Sequence, residues 1–133
     1  MEKEDPVTAT IRIAAPPAEV FPYLVDAALI VEWLGTSAQL DAQPGGIFAV
    51  DVDAYAARGT YLVVEPPDRV IFTWGVEGED TLPSGSTTVE IRLVSDGDET
   101  VVELTHRDLP PQWRSPHATG WISKLARLRE AAA

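Results

Sequence analysis

The two histidines of this chain, His106 and His117, are the first candidates for a catalytic or metal-binding role. An imidazole can act as a general base or as a metal ligand near neutral pH. A catalytic zinc site usually takes about three protein ligands, and neither an HExxH nor an HxE spacing occurs in the sequence. We therefore expect both histidines to make structural hydrogen bonds, and we expect no metal site.

Carboxylates and nucleophiles offer no second catalytic constellation. Asp51 and Asp53 could bind a cation or act as an acid and a base, but they alternate with apolar residues along one strand and should face solvent. The sequence contains no cysteine, no GxSxG motif and no glycine-rich phosphate-binding motif. We therefore predict no catalytic residues and no cofactor.

Charge excludes two classes of partner. Ten Lys and Arg residues against 21 Asp and Glu residues give a net charge of −11, and the sequence has no basic run. Such an acidic surface repels phosphate, so neither nucleic acid nor an anionic membrane is expected as a partner. The lack of cysteine also excludes disulfides, zinc-finger sites and iron–sulfur ligation.

Length and hydrophobic pattern indicate a single domain. A chain of 133 residues suits one core, so residues 1–133 are predicted to form one domain with a flexible N-terminus at residues 1–6. That N-terminus shows no secretory signal, and the apolar stretch from Val20 to Leu34 is too interrupted to cross a membrane. A cytoplasmic location is the default expectation.

Hydrophobic periodicity predicts the elements that must position these residues. Val7 to Ala15 alternates like a half-buried strand, and two short helices should follow. The first opens at the Pro16-Pro17 pair and should be shortened or bent by Pro22, and the second runs from Ala28 to Leu34. Short turns then separate further strands, predicted at Ile47–Asp53, Gly59–Glu65, Arg69–Val76, Thr87–Ser95 and Thr100–Arg107.

The C-terminal segment predicts a long amphipathic helix from about Ser115, with Ala131–Ala133 as a short tail. Its apolar stripe places His117, Trp121, Leu125 and Leu128 on one face. This order of elements predicts an α+β fold in which a curved antiparallel sheet of six to seven strands is covered by the long helix. The residues expected on the concave face are Phe48, Val50, Val52, Leu62, Val64, Val70, Phe72, Trp74, Val89, Ile91, Leu93, Val102 and Leu104.

Several longer strings resemble a known family. They are IRIAAPPAEVFPYLVDAALIVEWLG, the PGGIF turn, GTYLVVEPPDRVIFTWG, ETVVELTHRDLP and HATGWISKLARL. Their order and spacing over residues 7–130 resemble the family related to the C-terminal domain of the activator of Hsp90 ATPase. That family belongs to the START-like superfamily of helix-grip folds, also called SRPBCC or Bet v 1-like, which includes polyketide cyclases and lipid-transfer domains. The resemblance implies a cavity between the sheet and the C-terminal helix.

The aromatic rings could simply fill the core, but with the implied cavity some of them should border a void. The leading interpretation is non-catalytic binding of a small hydrophobic or aromatic ligand. One alternative is a protein-interaction module related to Hsp90 regulators and hence to the stress response. Another is a cyclase or hydrolase in which His106 or His117 acts with Glu103 or Arg107. The sequence leaves monomer and dimer open. The residues predicted to line the cavity are Trp33, Phe48, Leu62, Phe72, Trp74, Leu104, His106, His117, Trp121 and Leu125.

Overall fold

The computed structural model describes residues 6–133, so most of the N-terminus predicted to be flexible lies outside the described residues. The strands are β1 (Val7–Ile13), β2 (Ser37–Leu40), β3 (Ile47–Val52), β4 (Tyr55–Glu65), β5 (Arg69–Trp74), β6 (Thr87–Asp96) and β7 (Glu99–Arg107). The helices are α1 (Pro17–Val20), α2 (Pro22–Val25), α3 (Ala27–Ile30) and α4 (Pro111–Ala132). None of the helices within residues 6–133 combines the length and apolarity needed to cross a bilayer.

The strands form one seven-stranded antiparallel sheet in the order β1-β7-β6-β5-β4-β3-β2. Strands β2 to β7 are neighbours in the order in which they follow along the chain. Strand β1 forms the other edge of the sheet and pairs with β7, with Val7 opposite His106 and Ile13 opposite Thr100. The curved sheet, the short helices and the long C-terminal helix confirm the predicted α+β helix-grip architecture.

Alternation along the strands builds the core on the inner face of the sheet. In β5, Val70, Phe72 and Trp74 are buried while the residues between them are partly exposed. This is the period-two pattern of a strand with one face against a core. The stripe predicted on α4 is also buried, and it covers this inner face with His117, Trp121, Leu125 and Leu128.

Strand β4 departs from the prediction at Leu62. The strand begins at Tyr55, and its pairing with β5 shifts between Tyr61 and Val63, so β4 carries one extra residue there. A bulge of this kind interrupts the alternation of side chains between the two faces. Leu62 is consequently 46% exposed, and Tyr61 takes the inward position with its hydroxyl donating to the Leu24 carbonyl at 2.9 Å.

The predicted pair of short helices is in fact three helices of four residues. The first break falls at Phe21, because Pro22 has no N–H to bond back to the Ala18 carbonyl and continue α1. Asp26 then ends α2 and caps α3, since its carboxylate accepts a hydrogen bond from Ala28 N at 2.8 Å. Residues 31–34, predicted as helix, form turns instead.

Two further boundaries and one whole strand differ from the sequence prediction. Helix α4 starts at Pro111 rather than near Ser115, because a proline is well tolerated in the first turn of a helix. It also continues to Ala132, so most of the predicted tail is helical. The edge strand β2, which was not predicted, is only four residues long and only partly buried, so its hydrophobic pattern is weak.

Candidate functional site

The two histidines meet under α4 in a cluster of five residues, which we call the indole–imidazole cluster. Its members are Trp74 of β5, Thr87 of β6, His106 of β7, and His117 and Trp121 of α4. The two imidazole ring centroids lie 5.2 Å apart, and the two indoles are also 5.2 Å apart. All five side chains are buried. Three strands and the long helix therefore converge on these two rings.

Hydrogen bonds fix His106 in one neutral form. The indole Nε1–H of Trp121 donates to His106 Nδ1 at 3.0 Å, and an indole nitrogen can only donate. His106 therefore carries its proton on Nε2, which lies 2.8 Å from Thr87 Oγ1. The Thr87 hydroxyl in turn donates to the Trp74 carbonyl at 2.7 Å. These hydrogen bonds satisfy both ring nitrogens of His106.

His117 is held in the opposite tautomer. The indole Nε1–H of Trp74 donates to His117 Nε2 at 3.2 Å, which leaves the proton on Nδ1. That Nδ1–H donates to the Trp113 carbonyl one helical turn earlier, at 2.9 Å. Across residues 6–133, no buried side-chain nitrogen or oxygen lacks a hydrogen-bond partner. These bonds are the structural role predicted for the histidines.

Burial keeps both imidazoles uncharged at neutral pH. Desolvation, with a smaller contribution from the charge of His117, lowers the pKa of His106 to about 3. Desolvation also lowers the pKa of His117, although its bond to the Trp113 carbonyl acts in the opposite direction. In this structure the accepting nitrogen of each ring is occupied by an indole N–H group.

The acid–base partners considered for the enzyme alternative lie on the other side of the sheet. Glu103 and Arg107 of β7 are exposed, and Arg107 pairs with Glu90 at 3.4 Å on the outer face. Neither imidazole has a carboxylate partner among the described residues, and no group of three or more potential metal ligands occurs in that part of the chain. Among the described residues, the hydrogen-bond partners of the two imidazoles are two indoles, one hydroxyl and one backbone carbonyl.

A small cleft opens beside the cluster, between α4 and the hairpin that joins β3 to β4. It has a volume of about 30 Å³, roughly the space of one water molecule, whereas pockets for drug-sized ligands measure about 300–1,000 Å³. The predicted cavity is thus largely filled by side chains in this structure. The cleft is lined by Leu34, Val52, Tyr55, Trp74, Pro116, His117, Gly120, Trp121 and Lys124.

Two residues of α4 shape the mouth of this cleft. Gly120 lies in the middle of the helix, and a Cβ atom added there would meet no atom within 4 Å. No neighbour therefore requires a glycine, although glycine costs a helix about 1 kcal/mol relative to alanine. One turn later, the Lys124 ammonium reaches across the mouth to the carboxylate of Asp53 in the β3–β4 hairpin, at 3.4 Å.

Apart from the exposed Leu62, the other predicted cavity residues are packed into the core. Phe48 and Phe72 stack with ring centroids 4.0 Å apart and planes inclined by 13°. Trp33 is fully buried, and its indole donates to the Tyr23 carbonyl at 2.9 Å. Leu104 and Leu125 are buried as well. Of the ten predicted residues, the cleft brings together Trp74, His117 and Trp121, with His106 directly behind them.

Sequence reasoning missed several cleft residues that carried a usable signal. Gly120 and Lys124 follow His117 by three and seven positions, so all three lie on one face of α4. A lone glycine inside a strong helical pattern is itself informative, since it weakens the helix without an evident gain. Tyr55 was missed because β4 starts earlier than predicted.

The chain shares its fold with several solved structures. Aha1 from Colwellia psychrerythraea, solved as a dimer, gives a TM-score of 0.84 at 15% identity, with 97% of this chain and 96% of that chain covered. DynU16, from the dynemicin biosynthetic locus, gives a TM-score of 0.82 at 22% identity. That match covers 96% of this chain and 46% of DynU16, so the chain spans less than half of its length.

Sequence comparison identifies the family. No curated protein matches the chain at a significant level. CalU16 from Micromonospora echinospora is 30% identical with a TM-score of 0.78, and the match covers 95% of this chain and 74% of that chain. The family described as Activator of Hsp90 ATPase homolog 1-like protein matches residues 14–133. The chain therefore belongs to the Activator of Hsp90 ATPase homolog 1-like family.

Proposed function

We propose that this chain binds a small, flat, hydrophobic or aromatic molecule in the cleft between α4 and the β3–β4 hairpin, without transforming it. The observation that carries the proposal is that Trp74, Trp121 and Gly120 line the same cleft. Both indoles are buried in this structure, and once the cleft widens they would offer a flat molecule a large contact area, with space beside them at Gly120. Small-molecule sites typically combine such apolar walls with a few polar atoms.

Binding requires the cleft to widen, because its volume of about 30 Å³ is too small for an aromatic ring system. Helix α4 packs closely along β1 on its other side. On the cleft side, it meets the β3–β4 hairpin through the side-chain contact of Lys124 with Asp53. A rotation of α4 about its contact with β1 would therefore open the cleft and leave the strand pairing intact.

The state of the two histidines supports binding rather than catalysis. Both are neutral, and both accepting nitrogens are occupied by indole N–H groups. A ligand carbonyl or hydroxyl could replace His117 as the acceptor for Trp74 Nε1–H, since that bond is the longer of the two at 3.2 Å. Such an exchange would orient the ligand and would free His117 Nε2 to accept a hydrogen bond from it, while burial, which lowers the pKa of His117, keeps that nitrogen a weak base.

A fluorescence titration with the neutral dye N-phenyl-1-naphthylamine tests this proposal. The unmodified chain should bind the dye with saturation and with quenching of tryptophan emission. Gly120→Leu, which places a side chain over the cleft, should weaken binding by roughly tenfold or more, equivalent to the loss of about 1.4 kcal/mol. Thr119→Leu adds the same side chain at the neighbouring exposed position and should bind the dye like the unmodified chain.

Two results would contradict the proposal. One is an absence of saturable binding to the unmodified chain across a panel of flat aromatic and lipid-like compounds. The other is saturable binding that Gly120→Leu and Thr119→Leu leave equally unchanged, because the site would then lie away from the cleft.

A protein-binding module is the second candidate, and the observation that favours it is the filled core. The stacked rings of Phe48 and Phe72 occupy the space where a ligand cavity was predicted. Leu62 of β4 and Val94 of β6 are exposed, so a partner could contact them. The family name refers to an activator of Hsp90 ATPase. Stimulation of an Hsp90 ATPase by the unmodified chain, lost in Leu62→Ser, would favour this candidate.

A further inference from the structure

We propose that the ligand of the cleft carries an anionic group, a carboxylate or a phenolate on a flat aromatic framework, and that Lys124 binds this group. The inference rests on the proposed function and adds the charge that the ligand must have. It starts from Lys124 at the cleft mouth, whose ammonium has one ion-pair partner among residues 6–133, the carboxylate of Asp53 at 3.4 Å.

Lys124 has a largely buried side chain, and its ammonium has spare hydrogen-bonding capacity. Its side chain is 12% exposed, and its ammonium lies 3.4 Å from Asp53 Oδ2. A charge-assisted hydrogen bond is normally shorter, about 2.7–2.9 Å, and an ammonium has three donors. The contact with Asp53 therefore leaves the buried charge only partly compensated. A second anion at this point would improve the compensation.

Asp53 is suited to give way to such an anion. Its side chain is 71% exposed, so its carboxylate loses little solvation in the pair and regains little by leaving it. Its backbone lies in the left-handed region with φ of 50°, which is uncommon for a residue other than glycine but tolerated by aspartate. This turn conformation carries the carboxylate to the cleft mouth. Release of Asp53 would open the mouth and free Lys124 together.

The charged side chain that lines the cleft, Lys124, is opposite in sign to the net charge of the whole chain. A net charge of −11 favours cations at long range, but salt screens charges beyond about 8–10 Å. Within the cleft, the partly buried Lys124 acts at short range on any bound group. A cationic ligand would meet this ammonium in a poorly solvated site, whereas an anionic ligand would pair with it.

Tyr55 offers a second donor at the same mouth. Its phenol lines the cleft, and burial, together with the charge of Asp53, raises the pKa of Tyr55. The hydroxyl therefore stays protonated at neutral pH and can donate to an anionic oxygen held by Lys124. An ammonium and a phenol on two sides of one opening form a reasonable recognition pair for a carboxylate.

Isothermal titration with 2-naphthoate and 2-naphthamide tests the charge of the ligand, because the two probes share size and shape. The unmodified chain should bind 2-naphthoate roughly tenfold or more tightly than 2-naphthamide. Lys124→Met should abolish that preference, so that the two probes bind with similar affinity. Arg127→Met, which removes one positive charge from the exposed side of the same helix, should retain the preference. Asp53→Asn should strengthen 2-naphthoate binding.

The outcomes separate this inference from the proposed function. Equal binding of the two probes, with no effect of Lys124→Met on their ratio, would overturn the inference and leave the proposed function standing. A preference lost equally in Lys124→Met and Arg127→Met would also overturn it, since only the overall charge would then matter. Failure of both probes and of N-phenyl-1-naphthylamine to bind would overturn the proposed function itself.

Discussion

Acidification should destabilise this protein through His106 well before its carboxylates are protonated. Burial holds the pKa of His106 at about 3 in the folded chain, against 6.5 for an unperturbed histidine. A group whose pKa is depressed by folding stabilises the fold fully above its unfolded pKa. That stabilisation is lost progressively as the pH falls from about 6.5 towards 3, because the unfolded chain binds a proton that the folded chain cannot.

The size of the effect follows from the width of this window. The fall from pH 6.5 to pH 5 spans about 1.5 pH units. Over this range, protonation of His106 in the unfolded chain lowers the free energy of unfolding by about 2 kcal/mol. Asp and Glu side chains in unfolded chains titrate mainly near pH 4, so they contribute less in this range. His117, whose pKa is also lowered by burial, adds to the loss in the same direction.

Urea unfolding followed by tryptophan fluorescence at pH 7, 6 and 5 measures this loss. His106→Gln keeps an acceptor for the Trp121 indole and a donor for Thr87 but does not titrate. The difference in unfolding free energy between the unmodified chain and His106→Gln should therefore shrink by about 2 kcal/mol from pH 7 to pH 5. If His106→Gln folds too weakly to measure, His117→Gln gives the same comparison for the second ring. A difference that is independent of pH would refute the neutral, buried imidazole and its hydrogen-bond assignment.

Three further predictions concern the helix, the core and the surface. Gly120→Ala should raise the free energy of unfolding by about 0.5–1 kcal/mol in thermal or denaturant unfolding. Gly97→Ala should lower it, because Gly97 has a φ of 65°. A destabilised Gly120→Ala variant would contradict the open space at that position. Leu128→Ala should lower the free energy of unfolding by about 2–5 kcal/mol. Ile122 lies on the same helix but is 65% exposed, so Ile122→Ala should change that free energy by no more than about 0.5 kcal/mol. Equal losses in the two variants would contradict the packing of α4. Gel-shift assays with DNA and RNA at physiological salt should show no binding, and salt-dependent retardation would overturn the argument from the net charge of −11.

The fold could be predicted from the sequence because its pattern and its packing agree along most strands. Val70, Phe72 and Trp74 alternate in the sequence and are buried together on one face of β5. The alternation failed at Leu62, because a single extra residue in β4 turns that side chain outward, and a bulge leaves no mark in a hydrophobic pattern. The split between α1 and α2 was partly foreseen, since the effect of Pro22 on a helix is local chemistry.

The site could be predicted only in part because a cavity is a property of packing. The sequence identifies which rings face inward, and it placed Trp74, His117 and Trp121 together. It does not determine whether inward-facing rings leave a void or stack on each other, as Phe48 and Phe72 do. That outcome depends on side-chain volumes and rotamers across distant strands. The long-range pair of Lys124 with Asp53 was missed for the same reason, because 71 positions separate the two residues.

The indole N–H signals of the four tryptophans give the most direct test of the cleft as a ligand site. In a two-dimensional ¹H–¹⁵N NMR titration with 2-naphthoate, the Nε1–H signals of Trp74 and Trp121 should shift with saturation, since both indoles line the cleft. The signal of Trp33, buried and bonded to the Tyr23 carbonyl, should stay in place. Saturable shifts confined to tryptophans other than Trp74 and Trp121, or no shift at any of the four, would contradict the account.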